Sequence, residues 1–238
     1  MSTVHALWTP MALSPLLWLA LTLLCFIAGK KIQQLCGGSP LFNPVLIAIV
    51  FMAILLKATG TPYDIYFSGA QFINFLLGPA TVALAIPLAL NTAHIKSSFR
   101  ELALALLAGS LTSIITGALL VWLLGGERAV ALSMAAKSVT TPIAIALAQQ
   151  VGGVPALTAA LAIAGGIVAA SVGQTVLRWF NIRDWRAHGF AAGVAGSGVA
   201  AAQIAPLNGL AAAFAAIGIG LNGLLTALLV PLMAWLWQ

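Results

Sequence analysis

Between Leu102 and Leu124 the chain runs for twenty-three residues without a charge, and runs of this kind recur along almost its whole length. A helix rises 1.5 Å per residue, so about 20 apolar residues cross a hydrocarbon layer about 30 Å thick. Lys and Arg together number 10 and Asp and Glu 4 in 238 residues, whereas a soluble domain carries about 25% charged residues. A chain that cannot coat itself with charge takes lipid as its solvent, and in lipid each backbone N–H and C=O must be paired internally. The expected fold class is an all-α integral membrane protein, with residues 1–238 forming one transmembrane domain.

The apolar runs are Met11–Ala28, Phe42–Leu56, about Ser68–Leu90, Leu102–Leu124, Ala129–Gln149, Pro155–Leu177, Phe190–Ile204 and about Leu210–Leu236. They give seven or eight transmembrane helices, arranged as halves 11–124 and 129–238. Two carry internal breakers. Gly78-Pro79 interrupts the third run, and Lys137-Ser138-Val139-Thr140-Thr141-Pro142 interrupts the fifth. Trp235 and Trp237 close the last run, where an interfacial belt is expected.

The formal charge is +6. The basic residues stand singly or in small groups between apolar runs, which is the pattern of topology-setting flanks rather than a nucleic-acid patch. Lys30, Lys31, Lys96 and Arg100 fall on one side if the first four runs cross, and that side is then cytoplasmic. Simple alternation puts Arg178, Arg183 and Arg186 on the opposite side, against the positive-inside rule. The conflict disappears if 129–150 is re-entrant or if a crossing is miscounted. The N-terminus lacks a Lys/Arg-rich leader, so the first run is expected to be retained. Cys25 and Cys36 form no metal or disulfide spacing.

Two stretches repeat. Gly78–Ala85 parallels Thr141–Ala148, and Ala108-Gly109-Ser110 with Gly117 parallels Ala164-Gly165-Gly166 with Gly173. Chance matching of alanine-rich helices is one reading. Duplication as an inverted repeat is the other, and paired interrupted helices in two halves point to a transporter's binding site.

Lys137 carries the strongest chemical signal. An ammonium at the centre of a membrane helix costs about 2.5–3.5 kcal/mol on insertion scales and needs a partner or a wet cavity. Three hydroxyl residues and a proline follow it. Proline frees carbonyls and favours a break, after which Thr141 is the expected N-cap and Pro142 the first helical residue. A cation, hydroxyls and helix-start amides suit a small carboxylate; the alternative is a lysine snorkelling to the interface. Asn74, Gly78, Pro79 and Thr81 make a second polar group at a break, or else a simple proline kink. Asn43-Pro44 reads as a helix cap. Asp64, Glu101, Glu127 and Asp184, and likewise His5, His94 and His188, sit at boundaries. No nucleophile–base pair, metal cluster or cofactor motif stands out, so no enzyme is expected. Gly189-Gly193 and Gly218-Asn222 read as small-residue packing contacts.

These motifs resemble the LrgB/CidB family. The resemblance rests on Asn43-Pro44-Val45-Leu46, the run Leu77–Leu88, Lys137-Ser138-Val139-Thr140-Thr141-Pro142-Ile143-Ala144, Gly152-Gly153 and Gly165, and it covers roughly residues 15–235. It implies a bacterial inner (cytoplasmic) membrane protein linked to control of murein hydrolase export and autolysis. It also implies a small holin-like LrgA/CidA-type partner. The family's plastid relatives exchange glycolate and glycerate, and bacterial members are linked to pyruvate movement. One departure stands out. The family's Ser-His-x-x-Gly-Thr-Ala-Arg-like string falls on Gly196–Gln203, so Ser197 stands where the His is expected and Gln203 where the Arg is expected. Pro206 takes the place of the acid that often follows.

The expected function is therefore transport of a small monocarboxylate, pyruvate- or glycolate-like. Its site is expected between the two interrupted helices, at Lys137, Ser138, Thr140, Thr141 and Pro142 on one side and Asn74, Gly78, Pro79 and Thr81 on the other. The alternative is a non-transporting, holin-like or antiholin-like regulatory subunit. No metal, cofactor or nucleic acid is expected, and homo-oligomerisation stays open.

Overall fold

The computed structural model describes residues 14–83, 86, 89 and 92–237. Its elements are helices: α1 Pro15–Leu35, a 3-10 turn Pro40–Phe42, α2 Pro44–Thr59, α3 Tyr63–Ala83, α4 Thr92–Ser97, α5 Phe99–Leu123, α6 Arg128–Ala135, α7 Thr141–Val151, α8 Pro155–Trp179, α9 Trp185–Ile204 and α10 Gly209–Leu236. Among the described residues, α1, α5, α8 and α10 are long and apolar enough to cross a membrane, and α2 is a shorter apolar helix. The chain is a multi-pass membrane protein. It divides into two compact units, residues 1–82 and 83–238.

In the first unit Asn43 caps α2, its side-chain oxygen accepting from Val45 N at 2.9 Å and Leu46 N at 3.3 Å. This is the capping expected from Asn43-Pro44. Trp18 is fully buried against Met52 and neighbouring apolar side chains, and it meets Tyr66 edge-on at 5.9 Å. The α3 helix continues through Gly78 and Pro79. The break expected there is absent from the described backbone, because a proline costs its helix one hydrogen bond without obliging it to end.

In the second unit two elements double back. Five residues, Ala136–Thr140, separate α6 from α7. Val151, at the end of α7, packs against the apolar cluster that holds Ala131 and Ala135 of α6, and just beyond it Val154 N donates to Ser133 Oγ of α6 at 2.7 Å, so α7 runs back alongside α6. The second reversal lies inside α9, where Ser197 adopts φ 49°, ψ −138°. Trp185 and Ile204, the first and last residues of α9, belong to one apolar cluster with Ala211 and Ala215. In a straight helix they would stand about 28 Å apart. The α9–α10 contact has the same sense. A methyl group on Gly189 would collide with the Ala211 carbonyl, and one on Gly193 with the Ala215 carbonyl. The first arm of α9 and α10 therefore run parallel, and the four-residue link Ala205–Asn208 permits that only because α9 has already reversed.

The runs 129–149 and 190–204 thus form hairpins with short arms; a re-entrant segment is one of the two expectations for the first, whereas the second is expected to cross. Both follow a 25-residue helix, α5 or α8, and these two helices carry the Ala-Gly repeat. Ser98 and Glu101 at the start of α5 share a crevice with Asp184 and Arg186 at the start of α9. Arg128 at the start of α6 donates to the Ala234 carbonyl at 3.1 Å, at the opposite end. The two hairpins enter the unit from opposite ends, and α10, the most buried of the four long apolar helices, contacts both of them.

Candidate anion-binding cavity

The first hairpin turns at Lys137 and Ser138 because Pro142 lacks the amide that would extend α6 into α7. The new helix starts one residue earlier than expected: Thr140 is the N-cap, with Thr141 and Pro142 in the first turn. Pro142 fits there because the first amides of a helix have no intrahelical partner. The Thr140 hydroxyl makes no capping bond and is buried without a partner.

Lys137 turns toward α5. Its Nζ donates to the Ser113 carbonyl at 3.0 Å and to Ser113 Oγ at 3.1 Å, and Ser113 Oγ in turn bonds Ser138 Oγ. An ammonium offers three donors and no acceptor, and two of them go to Ser113, which leaves one N–H with no bond assigned. In the Ser113–Ser138 pair either hydroxyl can be the donor, so one of the two O–H groups also stays available. The ammonium has room because residue 117 is glycine; a Cβ there would lie 2.9 Å from Nζ. Among the described residues the one ion pair is Arg186–Asp184 at 2.6 Å, so Lys137 faces no carboxylate.

These groups form the polar part of a cavity of about 710 Å³. Its other walls come from α5, α8 and α9, including Gly109, Gly165 and Val194. The walls apart from Ser113, Lys137 and Ser138 are apolar. A mostly apolar hollow with a few convergent polar groups is the usual form of a small-molecule site. Of the residues expected to bind, Lys137 and Ser138 line it, whereas Thr140, Thr141 and Pro142 do not. Pro79 is an exposed residue of the first unit, and the side chains of Asn74, Gly78 and Thr81 lie outside the described residues. Ser113 was missed from sequence. One hydroxyl among Ser110, Thr112, Ser113 and Thr116 of a long apolar helix gives no sign of its partner until the turn of Lys137 is placed beside it.

Asn222 was also missed. It is fully buried near the middle of α10. Its Nδ2 donates to the Ser138 carbonyl at 2.8 Å and the Val194 carbonyl at 3.1 Å, while Oδ1 accepts from Ser110 Oγ at 2.6 Å and Thr226 Oγ1 at 3.4 Å. Small-residue spacing had reduced it to a packing contact. The better signal was an amide in an otherwise apolar helix, where such a group needs several partners.

Ser197 is buried at the reversal of α9, and its hydroxyl has no partner. Gln203 lines a smaller cavity of about 270 Å³ with His188 and Gln174. His188 Nε2 lies 2.8 Å from the Ile182 carbonyl, which only accepts, so Nε2 carries the hydrogen. At the mouth of α9 Asp184 caps the helix through Arg186 N at 2.8 Å. Hydrogen bonds from the Arg186 side chain, then from its backbone, hold the Asp184 carboxyl below its ordinary range.

Residues 22–236 match the model of the LrgB-like family. The antiholin-like proteins LrgB of Bacillus cereus (strain B4264) and Bacillus anthracis (strain CDC 684 / NRRL 3495) are each 28% identical to the chain over 220 residues. The match covers 92% of this chain and 96% of each relative. No solved structure matches it.

Proposed function

Starting from a chain that belongs to the LrgB-like family, we propose a carrier of small monocarboxylates, pyruvate- or glycolate-like, in the bacterial inner membrane. The observation that carries this reading is the Lys137 ammonium, which faces an apolar cavity without a carboxylate to neutralise it. An anion supplied from solution completes the site. The remaining ammonium N–H and one hydroxyl of the Ser113–Ser138 pair meet its carboxylate, and the apolar walls meet a short hydrocarbon end. One cation and few other donors favour a single negative charge, because a second buried charge without a partner is strongly penalised.

Two opposed hairpins meeting inside a bundle support the carrier reading, since transporters place substrate where discontinuous helices of inverted repeats meet. In the membrane each hairpin returns to the face it left. Arg100, Arg178, Arg183 and Arg186 then share one face, the cytoplasmic one by the positive-inside rule, and the topological conflict of simple alternation disappears.

A second reading is favoured by the relatives' printed name. Antiholin-like proteins suggest a regulatory membrane subunit working beside a small holin-like partner, and that name points to regulation more directly than to transport. Proteoliposome uptake of radiolabelled pyruvate, glycolate and lactate separates the two. Uptake by the wild type that disappears in a folded Lys137→Ala variant upholds the carrier. Absence of uptake, together with stable co-purification of a small membrane partner, upholds regulation.

A further inference from the structure

Each hairpin presents a carbonyl to α10. The Ser138 carbonyl lies in the gap between α6 and α7. The Val194 carbonyl lies three residues before Ser197, where the chain leaves helical geometry. Both carbonyls are collected by one amide, Asn222, and its orientation is not free. Carbonyls only accept, so Nδ2 must face them, while Oδ1 takes the Ser110 and Thr226 hydroxyls.

We infer that Asn222 is a positioning residue that latches the two hairpin tips together and thereby fixes Lys137 and Ser138 at the cavity. Both its N–H bonds are used, one on each hairpin, and its oxygen is anchored to α5 and to α10 itself. Aspartate has the same shape but no donor and would set a carboxylate against both carbonyls; alanine removes the amide altogether. In either variant the tips lose their shared tether while α5 and α8 keep their own helical bonds. The link to carboxylate binding rests on the carrier reading; the latch itself does not.

The test uses full-length protein with Cys25→Ala and Cys36→Ala, spin-labelled in two separate pairs. One pair, Ala146→Cys on α7 and Ala202→Cys on α9, reports the hairpins. The other, Leu119→Cys on α5 and Val172→Cys on α8, is the control. All four positions are exposed. Distance distributions are measured by electron–electron double resonance in wild type, Asn222→Asp and Asn222→Ala, each monodisperse on size exclusion. The expected result is a single narrow hairpin distance in wild type that broadens or splits in both variants, with the control pair unchanged. Pyruvate binding, measured calorimetrically, should weaken by about tenfold or more, the equivalent of one strong hydrogen bond lost from the site's support. A hairpin distribution that stays unchanged in both variants overturns the latch, and so does an equal disturbance of the control pair, which marks a merely structural role. Hairpins that separate in a protein whose wild type binds no pyruvate uphold the latch and remove the carrier reading.

Discussion

Gly117 and Lys137 act as a pair, one leaving the space that the other fills. Replacing Gly117 by Ala sets a methyl 2.9 Å from Nζ and 3.1 Å from the Met134 carbonyl. The ammonium is the movable neighbour, so the fold survives while Nζ leaves Ser113. Anion binding by Gly117→Ala is expected to fall toward that of Lys137→Ala, with a thermal midpoint close to wild type; calorimetry with pyruvate and a melting curve in detergent check both. Asp184 shows a different residue-scale effect. Its folded-state pKa lies below the unfolded value, so its contribution is complete above the ordinary carboxylate range and is lost as pH falls through the lowered value. The pair is about half exposed, so solvent screening keeps the contribution small. Below about pH 4 the stability of Asp184→Asn should therefore depend less steeply on pH than that of wild type, as read from denaturation midpoints.

The reversal of α9 rests on a serine in backbone geometry that glycine accepts more readily. Residues held in such regions cost about 1–3 kcal/mol, and the Ser197 hydroxyl gains no hydrogen bond in return. Ser197→Gly is therefore expected to stabilise the protein, by about 1 kcal/mol at the low end of that range, seen as a higher melting midpoint. The same element shows where sequence reading stops. The apolar runs declare helices, and Pro142 after Lys137 declares a break, because both signals are local. The reversal at Ser197 has no breaker of its own; Gly196 and Gly198 flank it in a stretch full of glycine, and only the contact of Trp185 with the far end of α9 reveals it. Gly78-Pro79 fails in the other direction, a strong local signal that the helix absorbs. Lys137 and Ser138 were legible because an intramembrane charge is rare. Ser113 and Asn222 were not, since their partners are 24 and 84 residues away in sequence.

At the scale of the molecule, the proposed topology, with hairpins that return to their own side, would give the second unit three full crossings, α5, α8 and α10, the helices of that unit long and apolar enough to span. The loop carrying Arg183 and the far end of α10 then face opposite compartments. Cysteines placed at Arg183 and at Leu236, the exposed last residue of α10, in a background without Cys25 and Cys36 should differ in their reaction with a membrane-impermeant maleimide on intact cells. Leu236→Cys should label and Arg183→Cys should require lysis. Equal labelling removes this topology.

The lone ammonium at Lys137 also has an electrical consequence. A binding site that is cationic when empty becomes neutral once a monoanion occupies it. If the site changes compartments in both states, the loaded passage is indifferent to voltage, whereas the empty return moves a unit charge through the field at about 2.3 kcal/mol per 100 mV. Swapping one anion for another never requires the empty return; net accumulation does. Imposing a diffusion potential on proteoliposomes should leave counterflow rates unchanged and alter net uptake, a difference that vanishes if Lys137 stays fixed while the anion moves past it.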